Sequence, residues 1–454
     1  MRLFRRWIGK GRAGAVMLSA FANTFKIPEL RSRILATLGL IFAVRIVAIV
    51  PVPGVNTEVL RALVDRVSGG LMAQIDMFSG GALSNFAVGA LGIMPYISAS
   101  IIIQLMTAVI PALEKLAREG DRQTLTQYTR YLTLVLCVVQ AYAAAVAIEN
   151  PRAWTRESIG VLVPNPGLPF RLMTILTMTT GTMIIMWLGE QITARGIGNG
   201  ISLIITINIV SRIPFAVRAG YEWYRYSGNG FMLATLAVLL ILVVMGTIAL
   251  TQAQRKIPIQ YAKRVVGRKV YGGQSTYMPL RINYSGVMPI IFAQAILMFP
   301  AVLFRRFGPT MALGEALSRH DSVLYIVIFG LMILFFSYFW VSTQFNPLRI
   351  ADDLKRYGGY VPGYRPGRPT AEFLDFTMTR ITFAGALFLT VIAVIPTLIT
   401  RHFGLDYAVS SLFGGTSLLI VVGVMLDTMR QVEAHLLMRH YDGFLTKGRL
   451  HGRR

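Results

Sequence analysis

Residues 231–250 read FMLATLAVLLILVVMGTIAL, without a single charge. At 1.5 Å per residue a helix of this length reaches ~30 Å, the thickness of a bilayer's hydrocarbon core. No water is available there to bond peptide groups, so the run must close its own hydrogen bonds as a helix. Comparable runs recur near 34–52, 93–111, 131–149, 172–189, 201–216, 286–304, 322–342, 381–399 and 409–427, with Arg45 the one cation inside the first. A soluble chain of 454 residues would divide into two or three cores and carry more charge than the 15% found here. The pattern predicts an all-α integral membrane protein with ten transmembrane helices.

Ten crossings put both termini on one side. Sorting Lys and Arg by side gives roughly 32 on the terminal side and roughly 12 opposite, which places both termini in the cytosol. Much of the net charge of +24 is therefore orientation signal. Five runs precede residue 217 and five follow 230, so the second half is inverted relative to the first, and inverted halves build a path along their interface. The expected organisation is a cytosolic segment at 1–33, a first half at 34–216, an external hinge loop at 217–230, a second half at 231–427 and a cytosolic tail at 428–454. The basic start, MRLFRRWIGKGRAG, has no signal-peptide apolar core and reads as retained in the cytosol.

One segment fits no span. From about Gly70 to Leu91 the chain is too apolar for water, yet Gly80, Gly81, Gly89 and Asp76 make a poor lipid-facing helix. A half-inserted segment is allowed only where protein buries it or a cavity receives it. A short re-entrant helix folded into the outer mouth of a pore meets those limits; a loop resting on the outer surface is the alternative. Two cytosolic connections, within 251–285 and 343–380, are also far longer than a helix turn requires. Both are basic, turn-dense and interleaved with tyrosine, which suggests a docking platform more than a solvated loop. The alternation in QYAKRVVGRKVY predicts a protruding hairpin.

Several chemistries have no equipment in this chain. An ion-coupled carrier needs acids or histidines within its spans, but Glu190, Asp321 and Asp427 sit at span ends and the five histidines lie outside. No catalytic set, metal-ligating pattern or phosphate-cradling glycine loop occurs, so neither an enzyme nor a cofactor is expected. Cys137 is the single cysteine and excludes a disulfide. An ion-coupled secondary solute transporter is kept as the alternative to a channel. Arg45 is expected to find a backbone carbonyl as its partner.

The stretches MFSGGALSNFAVGALGIMPYISASIIIQL, WLGEQITARGIGNGISLI, YAKRVVGRKVYGGQSTYMPLRIN, FNPLRIADDLKRYGGYVPGYRPG and FGGTSLLIVVGVMLD occur in order. Together they resemble the SecY/Sec61α family of protein-conducting channels, from about Phe25 to the tail. The resemblance implies two inverted, pseudo-symmetric halves around an hourglass pore, with 70–91 as a plug that includes Met77, Phe78, Ser79, Gly80, Gly81 and Leu83. It puts the pore ring on Ile93, Ile97, Ile201, Ile205, Ile291 and Ile420. Branched aliphatics close such a pore by excluding water, and they favour no particular passing sequence. The resemblance also implies docking of the SecA ATPase and the ribosome through Arg268, Lys269 and Arg365. Arginine suits both, since it pairs bidentately with carboxylate and phosphate.

A lateral exit for signal sequences is implied between the spans at 93–111 and 131–149 and those at 286–304 and 322–342. Gln104 could bond across that seam or equally within its own half. Further implications are SecE and SecG as partner subunits, SecDF and YidC as accessory ones, unfolded preproteins as cargo, and the bacterial cytoplasmic membrane as location.

Overall fold

The computed structural model describes residues 28–60, 76–150, 161–227, 230–261, 264–266, 269–271, 275–284, 286–306, 311–318, 322–403 and 416–447. Each of the ten predicted runs overlaps a helix among the described residues. The first half comprises α1 (Pro28–Ile49), α2 (Met94–Val109), α3 (Pro111–Glu119), α4 (Arg122–Glu149), α5 (Leu168–Arg195) and α6 (Gly200–Ser227). The second comprises α7 (Gly230–Gln252), α8 (Met288–Arg306), α9 (Met311–Ser318), α10 (Val323–Gln344), α11 (Pro347–Arg356), α12 (Arg368–Phe403) and α13 (Thr416–Lys447). Seven of these are by themselves long and apolar enough to cross a membrane. The chain is thus a multi-pass membrane protein, while the count of ten rests on the apolar runs.

The burial pattern is that of a protein whose solvent is lipid. Only 11% of the apolar window of α1 is buried, and Leu38 and Phe42 on α1, Ile241 and Leu242 on α7, and Leu331 and Phe335 on α10 are exposed. In water such surfaces would drive aggregation; in hydrocarbon they carry no penalty. Inside, one large hydrophobic cluster draws on α1, α2, α5, α6, α7, α8, α10, α12 and α13. The two halves meet where α6 packs on α13 and where α2 touches α8. A hydrogen bond from Gly198 N to Gln431 Oε1, 2.8 Å, joins the α5–α6 turn of the first half to α13.

Several boundaries differ from the expected ones for local reasons. The run predicted at 93–111 breaks at Ile110, which is extended because Pro111 disfavours helical geometry in the residue before it, and α3 leaves at 104° to α2. The predicted loop at 217–230 is helical as far as Ser227. Pro214 removes one ladder bond, but Arg218 and Glu222 pair at i,i+4 and good helix formers carry α6 onward. Helix α12 starts at Arg368, before the expected 381, and the last span continues as α13 through much of the predicted tail. Helix α4 is capped by Asp121, which accepts from Thr124 N at 3.2 Å and Thr124 Oγ1 at 2.6 Å. The Thr124 hydroxyl bond is the main reason this carboxyl is held below the usual carboxylate range.

The hairpin forms as predicted. Strands β1 (Gln254–Tyr261) and β4 (Ser275–Arg281) pair antiparallel, and β2 (Arg264–Val266) pairs with β3 (Lys269–Tyr271) nearer the tip. Not foreseen was β5 (Gly359–Tyr360), by which the second long connection adds to the free edge of β1, matching Gln260 with Tyr360. Ile257, Leu280, Val341, Phe345, Val361, Leu374 and Met378 form a small core beneath them. The two connections are one built unit.

Candidate functional site

The segment that begins at Asp76 turns back into the first half. After α1, the chain at Pro51 bridges Ala87, with Val52 N donating to Phe86 O at 2.9 Å and Val88 N to Val50 O at 2.8 Å. Ala48, Ala82 and Ala87 pack together behind this bridge. One short helical turn starts at Asp76, and Ser79 and Gly81 both donate to the Asp76 carbonyl. The Ser79 hydroxyl in turn accepts from Leu83 N at 3.2 Å, and Leu83 packs against a second cluster around Phe86, Met178 and Phe170. Residues 70–75 of the predicted plug lie outside the described residues. The part described is buried within the protein, not laid on its surface: Met77 is 8% and Phe78 4% exposed.

The cluster that takes in Met77 and Phe78 is apolar. Ile93, Ile97, Ile205, Ile291 and Ile420 are all buried in the same cluster as Met77 and Phe78, and Ile201 is half-buried against it. These isoleucines come from the start of α2, from α6, from α8 and from α13, so both halves contribute. The contacts offer dispersion and water exclusion only, with no donor or charge.

Polar groups meet the segment from the other direction. Arg45, on α1, donates from Nη1 to the Gly80 carbonyl at 3.1 Å and lies 3.5 Å from Asn208 Oδ1. This is the backbone partner expected for it. Asn208, on α6, donates to the Phe78 carbonyl at 2.8 Å. Arg212, one turn further along α6, forms an ion pair with Asp76, its Nη2 2.7 Å from Oδ2 but angled off hydrogen-bond geometry, while Oδ1 accepts from Ser84 N at 2.8 Å. Gly80 adopts φ +70°, and a Cβ there would stand 2.5 Å from Arg45 Nη1. Only glycine serves both the left-handed backbone and the close approach.

Acidic groups elsewhere are likewise matched to arginine. Glu190 receives two bonds from Arg130, at 3.0 and 2.7 Å, and Glu149 pairs with Arg171 at 2.7 Å. Among the described residues no group of three His, Cys, Asp or Glu could hold a metal ion.

Of the remaining predicted residues, Arg365 is exposed at the turn before α12, and Lys269 lies on β3. Arg268 falls outside the described residues. The Gln104 amide donates to Ser100 Oγ at 3.2 Å, four residues back in α2, so its bond runs within its own helix and not across the seam to α8. An i,i−4 hydroxyl is always within reach of a helical amide, whereas a cross-seam partner must be supplied by packing. Asn208 and Arg212 escaped the sequence reading. Two polar residues four apart on an apolar run were the available signal, and one face of a helix carries both.

Comparison with known proteins bears on this site directly. The SecY family model matches residues 87–429. A protein from Streptomyces galbus, named protein translocase subunit SecY, is 43% identical over 438 residues, covering 94% of this chain and all of its own length. One of the same name from Mycobacterium bovis is 41% identical over 446 residues, with 94% of this chain and all of that protein covered. Among solved structures, one described as a protein conducting channel superposes with a TM-score of 0.62 at 16% identity, covering 90% of this chain and 93% of its own. Sec61 in the canine ribosome-channel complex from the endoplasmic reticulum does so at 0.58 and 15%, covering 90% and 93%. At those identities the structures establish the fold. The alternative of an ion-coupled solute transporter finds no support, since the relatives are named as translocase subunits. The chain belongs to the SecY family.

Proposed function

We propose that this chain is the pore-forming subunit of a protein-translocation channel, passing unfolded preproteins across the bacterial cytoplasmic membrane and releasing hydrophobic segments sideways into lipid. Five of the six predicted ring isoleucines, buried in one cluster with Met77 and Phe78, carry the reading. A constriction of this kind blocks water and ions when closed and grips no passing sequence when open. The segment around Met77, Phe78, Ser79, Gly80, Gly81 and Leu83 acts as the plug. The chain performs no catalysis; energy comes from SecA or from elongation on the ribosome, both docking on the unit built from the two basic connections. SecE and SecG complete the complex, with SecDF and YidC as accessory partners, and both termini lie in the cytosol.

The test is cysteine crosslinking. With Cys137 replaced, a preprotein stalled in transit is expected to crosslink to single cysteines at positions 93, 205 and 291, and not to one at lipid-exposed Phe42. A stalled substrate that reaches none of the three would overturn the channel path.

The seam between α2 and α8 is the proposed lateral exit. Because the Gln104 amide is satisfied inside its own helix, Gln104→Leu is expected to keep acceptance of weakly hydrophobic signals within about threefold of wild type, below what losing a single interhelical polar contact in membranes would cause. Membrane-insertion assays with a graded series of signals measure it, and a complete loss of signal discrimination would show that the amide acts across the seam after all.

A further inference from the structure

Two kinds of contact hold the plug, and they attach it to different bodies. The apolar contacts seat it in one cluster built by both halves, since Ile291 and Ile420, which share that cluster, belong to the second. Among the described residues, three polar side chains reach the segment at 76–80, and they come from α1 and α6, both in the first half: Arg45 to the Gly80 carbonyl, Asn208 to the Phe78 carbonyl, and Arg212 to the Asp76 carboxylate. Separating the halves therefore strips away aliphatic contacts without disturbing any polar one. Only departure of the plug itself breaks the polar set.

Those polar groups are placed where they matter energetically. Asn208 is 3% exposed, and the Asp76 side chain 5%. Buried carbonyls and carboxylates that lose their donors away from water are costly, so each donor strongly favours the seated plug over any half-released state. We propose that Arg45, Asn208 and Arg212 are plug-positioning residues that set how strongly the closed channel resists opening, and so determine how good a signal sequence must be to open it. This rests on the channel reading above and adds a specificity-setting role for three side chains. Opening proceeds in two stages. A signal entering the seam parts the aliphatic contacts, and the plug then leaves only if enough is gained to release the three polar tethers. Weak signals fail at the second stage.

The experiment uses the full-length chain in its membrane complex. Translocation into inverted membrane vesicles is compared for a preprotein with an intact signal and for the same preprotein with a charge placed in the signal's apolar core. Asn208→Leu and Arg212→Gln are each expected to raise the ratio of defective-signal to intact-signal translocation roughly tenfold, the scale of losing one buried polar contact. Arg212→Gln strands the Asp76 charge, so the double variant Asp76→Asn/Arg212→Gln is expected to fall back toward the wild-type ratio, a non-additivity that mere loosening of the fold would not produce. Arg45→Lys, which keeps a cationic donor for the Gly80 carbonyl, is expected to stay within about threefold of wild type. Wild-type ratios in Asn208→Leu and Arg212→Gln at normal abundance overturn the tether; if Arg212→Gln fails to accumulate, Asn208→Leu decides alone. A wild-type chain that translocates neither preprotein would instead defeat the channel reading on which the tether depends.

Discussion

Arg365→Glu is expected to abolish motor-driven export while the protein remains in the membrane at wild-type abundance. The position is exposed, and its surroundings are fixed without help from its side chain. Tyr364 stacks on Phe373 with ring centroids 4.1 Å apart, and the Arg365 carbonyl accepts from Thr370 Oγ1 at 2.7 Å. Val361, four residues earlier, is sealed in the core beneath the two connections. Reversing the charge therefore leaves the turn intact but places like charges against an acidic docking surface. A loss of about thirtyfold or more in ATP-driven translocation is the scale expected for destroying a docking charge pair. The measurement is translocation in vesicles alongside immunoblot abundance, and export at the normal rate would remove Arg365 from the docking surface.

Gly200→Ala is expected to deplete the protein from the membrane altogether. The turn from α5 to α6 brings Gly200 so close to Gly189 that an added Cβ would overlap the Gly189 carbonyl oxygen. That oxygen is already engaged by Thr193 Oγ1, and the same hydroxyl accepts from Gly200 N at 2.8 Å, so neither backbone can retreat without breaking the other bond. The α5–α6 crossing would have to open at a cost of about 3 kcal/mol, the upper range for overpacking a close contact. It would also shift Ile201 and Ile205, which follow on α6. Steady-state abundance and the thermal unfolding midpoint of the purified protein both report it. A variant with unchanged midpoint would mean that the crossing is looser than the geometry describes.

Much of the architecture was legible in the sequence because it is a local property. A residue run that must avoid water announces itself in composition, and a twenty-residue apolar stretch has no option but helix. The alternation in residues 260–271 that foretold the hairpin of β2 and β3 is equally local. Residue type also went far for the proposed ring, since six isoleucines at motif positions would form a surface with nothing to offer a passing chain. Boundaries fared worse. Helix α12 runs for 36 residues, longer than any hydrocarbon core demands, because its first turns are held by packing on α11 and not by lipid.

Partnerships were another matter. A lone arginine in the first span gave reason to expect a backbone carbonyl but no way to say which one, and Gly80 lies 35 residues away. Asn208 drew no reading at all from the sequence, because the Phe78 carbonyl it bonds lies 130 residues away. Gln104 offered two partners of equal merit, and packing left it with Ser100.

By itself, then, the sequence determined that this chain lives in lipid, how many apolar runs it has, and which side chains are suited to sealing a pore. Tertiary structure alone decided that isoleucines of both halves share one cluster with Met77 and Phe78, that Arg45, Asn208 and Arg212 of the first half reach the segment at 76–80, and that β5 joins two distant connections into a single unit. The division has a physical cause. Solvent preference and backbone periodicity act on each segment separately, whereas hydrogen-bond and packing partners far apart in the chain are chosen only when all the segments compete for the same space.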